Sequence, residues 1–163
     1  MKWKFARDRA KDFLLIALLM AADRASKIWA IQALGEGGVP SVTAIPGVIR
    51  LTLTWNRGAA FSLLRSQPWI VIALSALLLS ALMLAILFAR TLSRRAGICA
   101  CFVFAGGAGN LIDRIVYGAV VDFIEFRVIS FPVFNVSDIF VTVGAALFVL
   151  FLFWNDRKKG ADA

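Results

Sequence analysis

Four stretches of about 20 mostly apolar residues dominate this chain, each long enough to cross the hydrocarbon core of a bilayer as a helix. They lie near 13–34, 69–89, 97–115 and 136–154. Lipid offers no partner to an unpaired backbone N–H or C=O, so segments of this kind must satisfy their polar groups internally, as helices do. The composition agrees: 61% of residues are hydrophobic, 17% are charged, and the mean hydropathy is +0.83. The expected fold is therefore an all-α integral membrane protein with four transmembrane helices, residues 1–163 forming one membrane-embedded domain. Segments 35–68 and 116–135 connect the helices on one side.

The net charge of +8 would suit a nucleic-acid binder only if the cations formed a basic face. Here they cluster at the ends of apolar runs: Lys2, Lys4, Arg7, Arg9 and Lys11, then Arg90, Arg94 and Arg95, then Arg157, Lys158 and Lys159. An even number of spans puts all three clusters on one side, and cation-rich flanks mark the cytoplasmic side. Both termini are then cytoplasmic, the two connections face outward, and no nucleic-acid partner is expected. The basic start followed by an apolar run resembles a secretory leader. Asp23, Arg24 and Lys27 interrupt that run and no small-residue cleavage site follows, so the first span is read as permanent.

Within the first outward connection, Ile49, Leu51, Leu53 and Trp55 alternate with Arg50, Thr52, Thr54 and Asn56, the period of a strand with two unlike faces. Residues Phe61, Leu63 and Leu64 could supply a returning strand. A small β-sheet cap on the outer surface of the membrane is expected.

The chain contains no histidine, which removes serine–histidine triads, histidine-ligated metals and histidine proton relays. Cys99 and Cys101 sit two apart in an apolar run and read as apolar filler. No metal site and no cofactor are expected. Whatever titrates during function must be a carboxylate, a lysine, a tyrosine or a thiol, and ionisable groups in or beside membrane spans are costly enough to require a reason.

Asp23 and Lys27 are four apart on one helix face, where a local ion pair would neutralise both. At the end of the third span Asn110, Asp113 and Arg114 share a helix face. Asp122 stands between Val121 and Phe123, while Asp138 follows Asn135 and Ser137 at the start of the fourth span, where capping accounts for one of the polar residues. If Asp122 and Asp138 meet in a partly desolvated site, they cannot both ionise easily. One proton is then shared, giving a base and an acid for peptide hydrolysis through water. Two readings from other classes stand beside this one. The first is a proton or cation path through Asp23, Asp113, Asp122 and Asp138, and the second a noncatalytic membrane scaffold. A serine–lysine protease pairing Lys27 with Ser62 is the other enzymatic possibility.

Five stretches, in order and covering nearly the whole chain, resemble the motif set of lipoprotein signal peptidases, the type II signal peptidases. They are Asp23-Arg24-Ala25-Ser26-Lys27, Asn56-Arg57-Gly58-Ala59-Ala60-Phe61-Ser62, Gly106-Gly107-Ala108-Gly109-Asn110-Leu111-Ile112-Asp113-Arg114, Val121-Asp122-Phe123-Ile124 and Phe134-Asn135-Val136-Ser137-Asp138-Ile139. The resemblance implies a metal-independent aspartic endopeptidase with Asp122 and Asp138 as its catalytic pair. It further implies supporting or substrate-binding roles for Asp23, Lys27, Asn56, Asn110, Asp113, Arg114 and Asn135. The implied substrate is a prolipoprotein carrying diacylglycerol on the cysteine just after the cut, reached from surrounding membrane lipids at the periplasmic face of the inner membrane. The cyclic peptide globomycin is the implied inhibitor. Arg24 stands where many relatives carry glutamine, and Ser137 where alanine is common.

Overall fold

The computed structural model describes residues 2–35, 38, 41–58, 67–89 and 93–161. Four helices and three strands follow in the order α1 (Lys2–Leu34), β1 (Val42–Ile45), β2 (Ile49–Asn56), α2 (Pro68–Phe88), α3 (Arg94–Tyr117), β3 (Val120–Phe126) and α4 (Val136–Ala161).

Local sequence accounts for several of the helix ends. Pro68 opens α2 in its first turn, where the missing N–H costs nothing. Ser93 caps α3, its hydroxyl accepting from the Ala96 N–H at 3.2 Å. Gly118 closes α3 at φ 66°, a left-handed conformation that turns the chain directly into β3. Helix α1 begins well before its apolar run: the basic N-terminal residues continue the same helix from Lys2.

Helix α3 is the centre of the bundle and packs against α4, α1 and α2. Ile16, Ile86, Cys101 and Ala105 form a buried cluster where α1, α2 and α3 meet; Cys99 is buried as well, and both cysteines are free. The outer helix faces are apolar as well. On α2, Leu74, Leu77, Leu78, Leu84 and Phe88 are more than half exposed, as are Leu150, Phe153 and Trp154 on α4. Water would not tolerate such a surface, and lipid would. Among the described residues three helical segments are long and apolar enough to cross a membrane: Pro68–Phe88, Arg94–Tyr117 and Val136–Trp154. Helix α1 is longer than any of these, but Asp12, Asp23, Arg24 and Lys27 break its apolar character.

The strands form one antiparallel sheet in the order β1-β2-β3. The alternation in 49–56 does make a strand, β2, but its partners lie elsewhere than expected: Val42–Ile45 on one side and Val120–Phe126 on the other. The proposed returning strand at Phe61, Leu63 and Leu64 lies outside the described residues. Leu51 and Leu53 pack on Ala30, Leu34 and Phe123, which seats the sheet on the end of α1. On the opposite face Arg50 grips Glu125 with two bonds of 2.7 and 3.0 Å, and this guanidinium holds the Glu125 carboxyl below its usual range. Phe134 bridges to Ile124, so the segment after β3 is tied to the sheet before α4 begins. The sheet thereby brings the end of β2 and the start of β3 over the ends of α1, α3 and α4.

Candidate active site

Asp122 lies near the start of β3 and is 2% exposed. Register places it opposite Thr54, with Asn56 opposite Val120, so the Asn56 side chain reaches it on the diagonal. The Asn56 Nδ2 donates to Asp122 Oδ2 at 2.9 Å. The amide of Asn56 is itself oriented, because its Oδ1 accepts from the Gly58 N–H at 3.0 Å. On the other side Asn135 Nδ2 donates to Asp122 Oδ1 at 2.6 Å.

Asp138 stands in the first turn of α4 and completes a reciprocal cap with Asn135. The Asn135 N–H donates to Asp138 Oδ2 at 3.1 Å, and the Asp138 N–H donates to Asn135 Oδ1 at 3.0 Å. Asn110 Nδ2 donates to Asp138 Oδ1 at 2.8 Å. Asn135 therefore bonds to both aspartates, and every oxygen of the two carboxylates accepts from an amide or a backbone N–H. No lysine or arginine ion pair reaches either of them among the described residues. Burial, partly offset by the Asn56 bond, and the neighbouring Asp138 charge push the Asp122 carboxyl up to about 6. Two carboxylates so placed can share a proton, and that arrangement can activate a water molecule and protonate a carbonyl oxygen.

Beneath this layer lies a second one, built of ions. Lys27 Nζ is fully buried, 2.8 Å from Asp113 Oδ2 and 3.1 Å from Asp23 Oδ2. Arg24 meets the other oxygen of Asp113 at 2.8 Å. Two acids and two cations balance, as buried charges must. Asp23 Oδ1 also accepts from the Ser137 N–H at 3.1 Å, and Asp113 Oδ2 from the Val121 N–H at 3.2 Å. The ionic layer thus grips the residues next to both Asp138 and Asp122. Gly109 makes room for it: a Cβ there would lie 2.3 Å from Ser137 Oγ and 2.5 Å from Asp23 Oδ2.

Arg114 is half-buried, donates to the Asn110 carbonyl at 3.2 Å and to the Gly58 carbonyl at 3.5 Å, and its charge faces both Asp122 and Asp138. All nine residues singled out in the sequence, Asp23, Lys27, Asn56, Asn110, Asp113, Arg114, Asp122, Asn135 and Asp138, meet in this one region. The local Asp23–Lys27 ion pair is present, but it is one part of a larger assembly. Ser62 lies outside the described residues, and the Lys27 protons are already taken by Asp23, Asp113 and Asn110. Sequence reasoning gave no role to Arg24 or to the Val121 N–H. Arg24 meets Asp113 from a different helix, and the Val121 N–H reaches Asp113 across the turn from α3 into β3, so spacing along one element signals neither contact.

The sequence profile described as signal peptidase (SPase) II matches residues 15–154. A lipoprotein signal peptidase of Clostridioides difficile is 38% identical over 146 residues, covering 90% of this chain and 97% of that protein. One from Brevibacillus brevis is 34% identical over 147 residues, with the same coverage of 90% and 97%. Among solved structures, a bacterial membrane enzyme determined by the in meso method at 2.3 Å resolution superposes with a TM-score of 0.81. It is 27% identical, and the match covers 92% of each chain. A profile that runs from within α1 into α4, relatives alike over nearly their full length and a shared fold agree with one another: this chain belongs to the signal peptidase II family.

Proposed function

We propose that this protein is an aspartic endopeptidase that removes the signal peptide from diacylglyceryl-modified prolipoproteins by cutting just before the lipidated cysteine. Removal of signal peptides from prolipoproteins follows from the family. The catalytic type and the bond cut are the reading put forward here. The observation that carries it is the Asn135 bridge: one side chain and its own backbone hold Asp122 and Asp138 together, with no cation among the described residues paired to either.

In this reading the pair holds one proton. The ionised member takes a proton from water as the water oxygen attacks the scissile carbonyl, and the protonated member delivers its proton to the carbonyl oxygen. Collapse of the tetrahedral intermediate breaks the C–N bond, the amine leaves with a proton, and the pair returns to one shared proton. Arg114 and the amides of Asn56, Asn110 and Asn135 order the carboxylates and the backbone of the bound segment. No metal is required by this cycle.

All four helices cross the inner membrane in the proposed arrangement, α1 included, because its charged residues Asp23, Arg24 and Lys27 are paired inside the bundle. Both termini are cytoplasmic, and the sheet and site lie at the periplasmic face. A substrate anchored by its acyl chains and its signal helix then arrives already confined to the depth of the pair. Globomycin is the inhibitor expected to compete for the same place.

The test is incubation of the purified protein with a diacylglyceryl-modified prolipoprotein in detergent with chelator present, followed by mass spectrometry of the products. A released signal peptide, and a lipoprotein beginning with the lipidated cysteine, are expected, and globomycin should suppress both. A cut elsewhere, or cleavage abolished by the chelator, would overturn the reading.

A further inference from the structure

Besides its backbone contacts at Ser137 and Val121, the ionic layer meets the proposed catalytic layer side chain to side chain, from Lys27 to Asn110, and that contact carries an inference about control of the pair, resting on the reading above. Lys27 Nζ lies 3.0 Å from Asn110 Oδ1, besides 2.8 Å from Asp113 Oδ2 and 3.1 Å from Asp23 Oδ2; Ser137 Oγ is more distant, at 3.5 Å. An ammonium has three protons and accepts nothing. Its three shorter contacts use all three protons, so the end of the Asn110 amide that faces Lys27 must be the oxygen. Asn135 Nδ2 donates to the same oxygen at 3.1 Å, which reinforces that choice. With its oxygen turned down, Asn110 can only present its NH2 group to Asp138 Oδ1, at 2.8 Å.

We propose that Lys27 is a positioning residue for the reaction: by fixing which end of the Asn110 amide faces the aspartate pair, it dictates that Asp138 Oδ1 accepts a hydrogen bond and keeps the shared proton off that position. A reversed amide would set its oxygen against the Asp138 carboxylate, which either repels it or draws the proton out of the pair. It would also turn its NH2 group against the Lys27 ammonium and the Asn135 amide, so the lysine makes reversal costly. Asp23 and Asp113 serve this arrangement by holding the ammonium in place. Asp122 receives the effect at second hand through Asn135, and the lysine charge also favours its ionised form.

The experiment is a double-mutant cycle on cleavage of the lipidated substrate, with Lys27→Gln, Asn110→Ala and the combination, all measured per folded molecule. Glutamine cannot enforce one amide orientation, since it offers both an oxygen and an NH2 group. Lys27→Gln should lower kcat roughly 100-fold with KM changed less than about threefold, and should move the alkaline limb of the pH profile upward. In the Asn110→Ala background the same substitution should cost less than about threefold, because the amide through which it acts is gone. If Lys27→Gln alone leaves the bundle unfolded, Asp23→Asn is added to both arms to restore charge balance and the same non-additivity is expected. Independent, multiplicative losses would overturn the proposal, as would a Lys27→Gln loss that matches the lost folded fraction with the pH limb unmoved. Failure of the aspartate-pair reading would look different: Asp122→Asn or Asp138→Asn would then remain active.

Discussion

Two buried acids at opposite ends of the bundle, Asp12 and Asp122, are each 2% exposed and are handled in contrary ways. Asp12 sits among arginines. Arg9 reaches its Oδ2 at 3.5 Å and Arg94 pairs with its Oδ1, while Arg9 also donates to the carbonyl of Ala89 just past α2. That cluster ties α1, the end of α2 and the first turn of α3 with compensated charge. Asp122 is hydrogen-bonded by the amides of Asn56 and Asn135, has no ion pair among the described residues, and its carboxyl is pushed up to about 6. Cations neutralise a buried acid and leave it structural, whereas neutral donors orient one without fixing its charge, which is the condition for proton transfer near neutral pH.

Substitutions that separate the two ends test this contrast. Asp122→Asn and Asp138→Asn should each reduce cleavage roughly 10³ to 10⁴-fold while the protein stays folded. Asp12→Asn should leave cleavage within about threefold and lower thermal stability, by about 1–3 kcal/mol, because two arginines lose their counter-charge and one of them its accepting oxygen. Equal losses of activity at both ends, measured per folded molecule, would erase the distinction.

The pH dependence sharpens it. A carboxyl raised in the folded state keeps its proton to higher pH than in the unfolded chain. Its contribution to stability is thus present at low pH and lost as pH rises from about 4 toward about 6. Activity that needs the shared proton should fall along the same direction, with an alkaline limb governed by the pair. Asn56→Ala removes a bond that favours ionised Asp122. The limb should therefore move upward in pH, with activity down roughly tenfold, in a profile of rate against pH. A downward shift would contradict the assigned role of Asn56.

A smaller effect is expected from packing. Gly109→Ala places a methyl group against Ser137 Oγ and the Asp23 carboxylate. Displacing them should cost about 1–3 kcal/mol in a thermal or denaturant melt. Activity should fall more than it does for a substitution of equal cost beside Asp12, since the ionic layer positions Asn110.

Much of this was legible in the sequence, for reasons that vary with the residue. The apolar runs mark α2, α3 and α4, and strict alternation marks β2. Strand β3 escaped notice because Val120, Val121, Asp122 and Phe123 are buried without alternation. A sheet strand covered on both faces loses the period that reveals it. Asp23 and Lys27 showed as a local pair by spacing, but their contacts to Asn110, Asp113 and Ser137 span 83 or more positions or join separate helices. The Asp12 cluster was missed for the same reason: Arg94 lies 82 positions away. Spacing along one element predicts its own face, whereas contacts between elements depend on packing.

The most direct measurement is infrared titration of the protonated-carboxyl band in the purified protein, comparing wild type with Asp122→Asn and Asp12→Asn. The account predicts a band that is lost as pH rises through about 6 in wild type, persists in Asp12→Asn and is absent from Asp122→Asn. A titration that survives in Asp122→Asn, or that vanishes in Asp12→Asn, would contradict it.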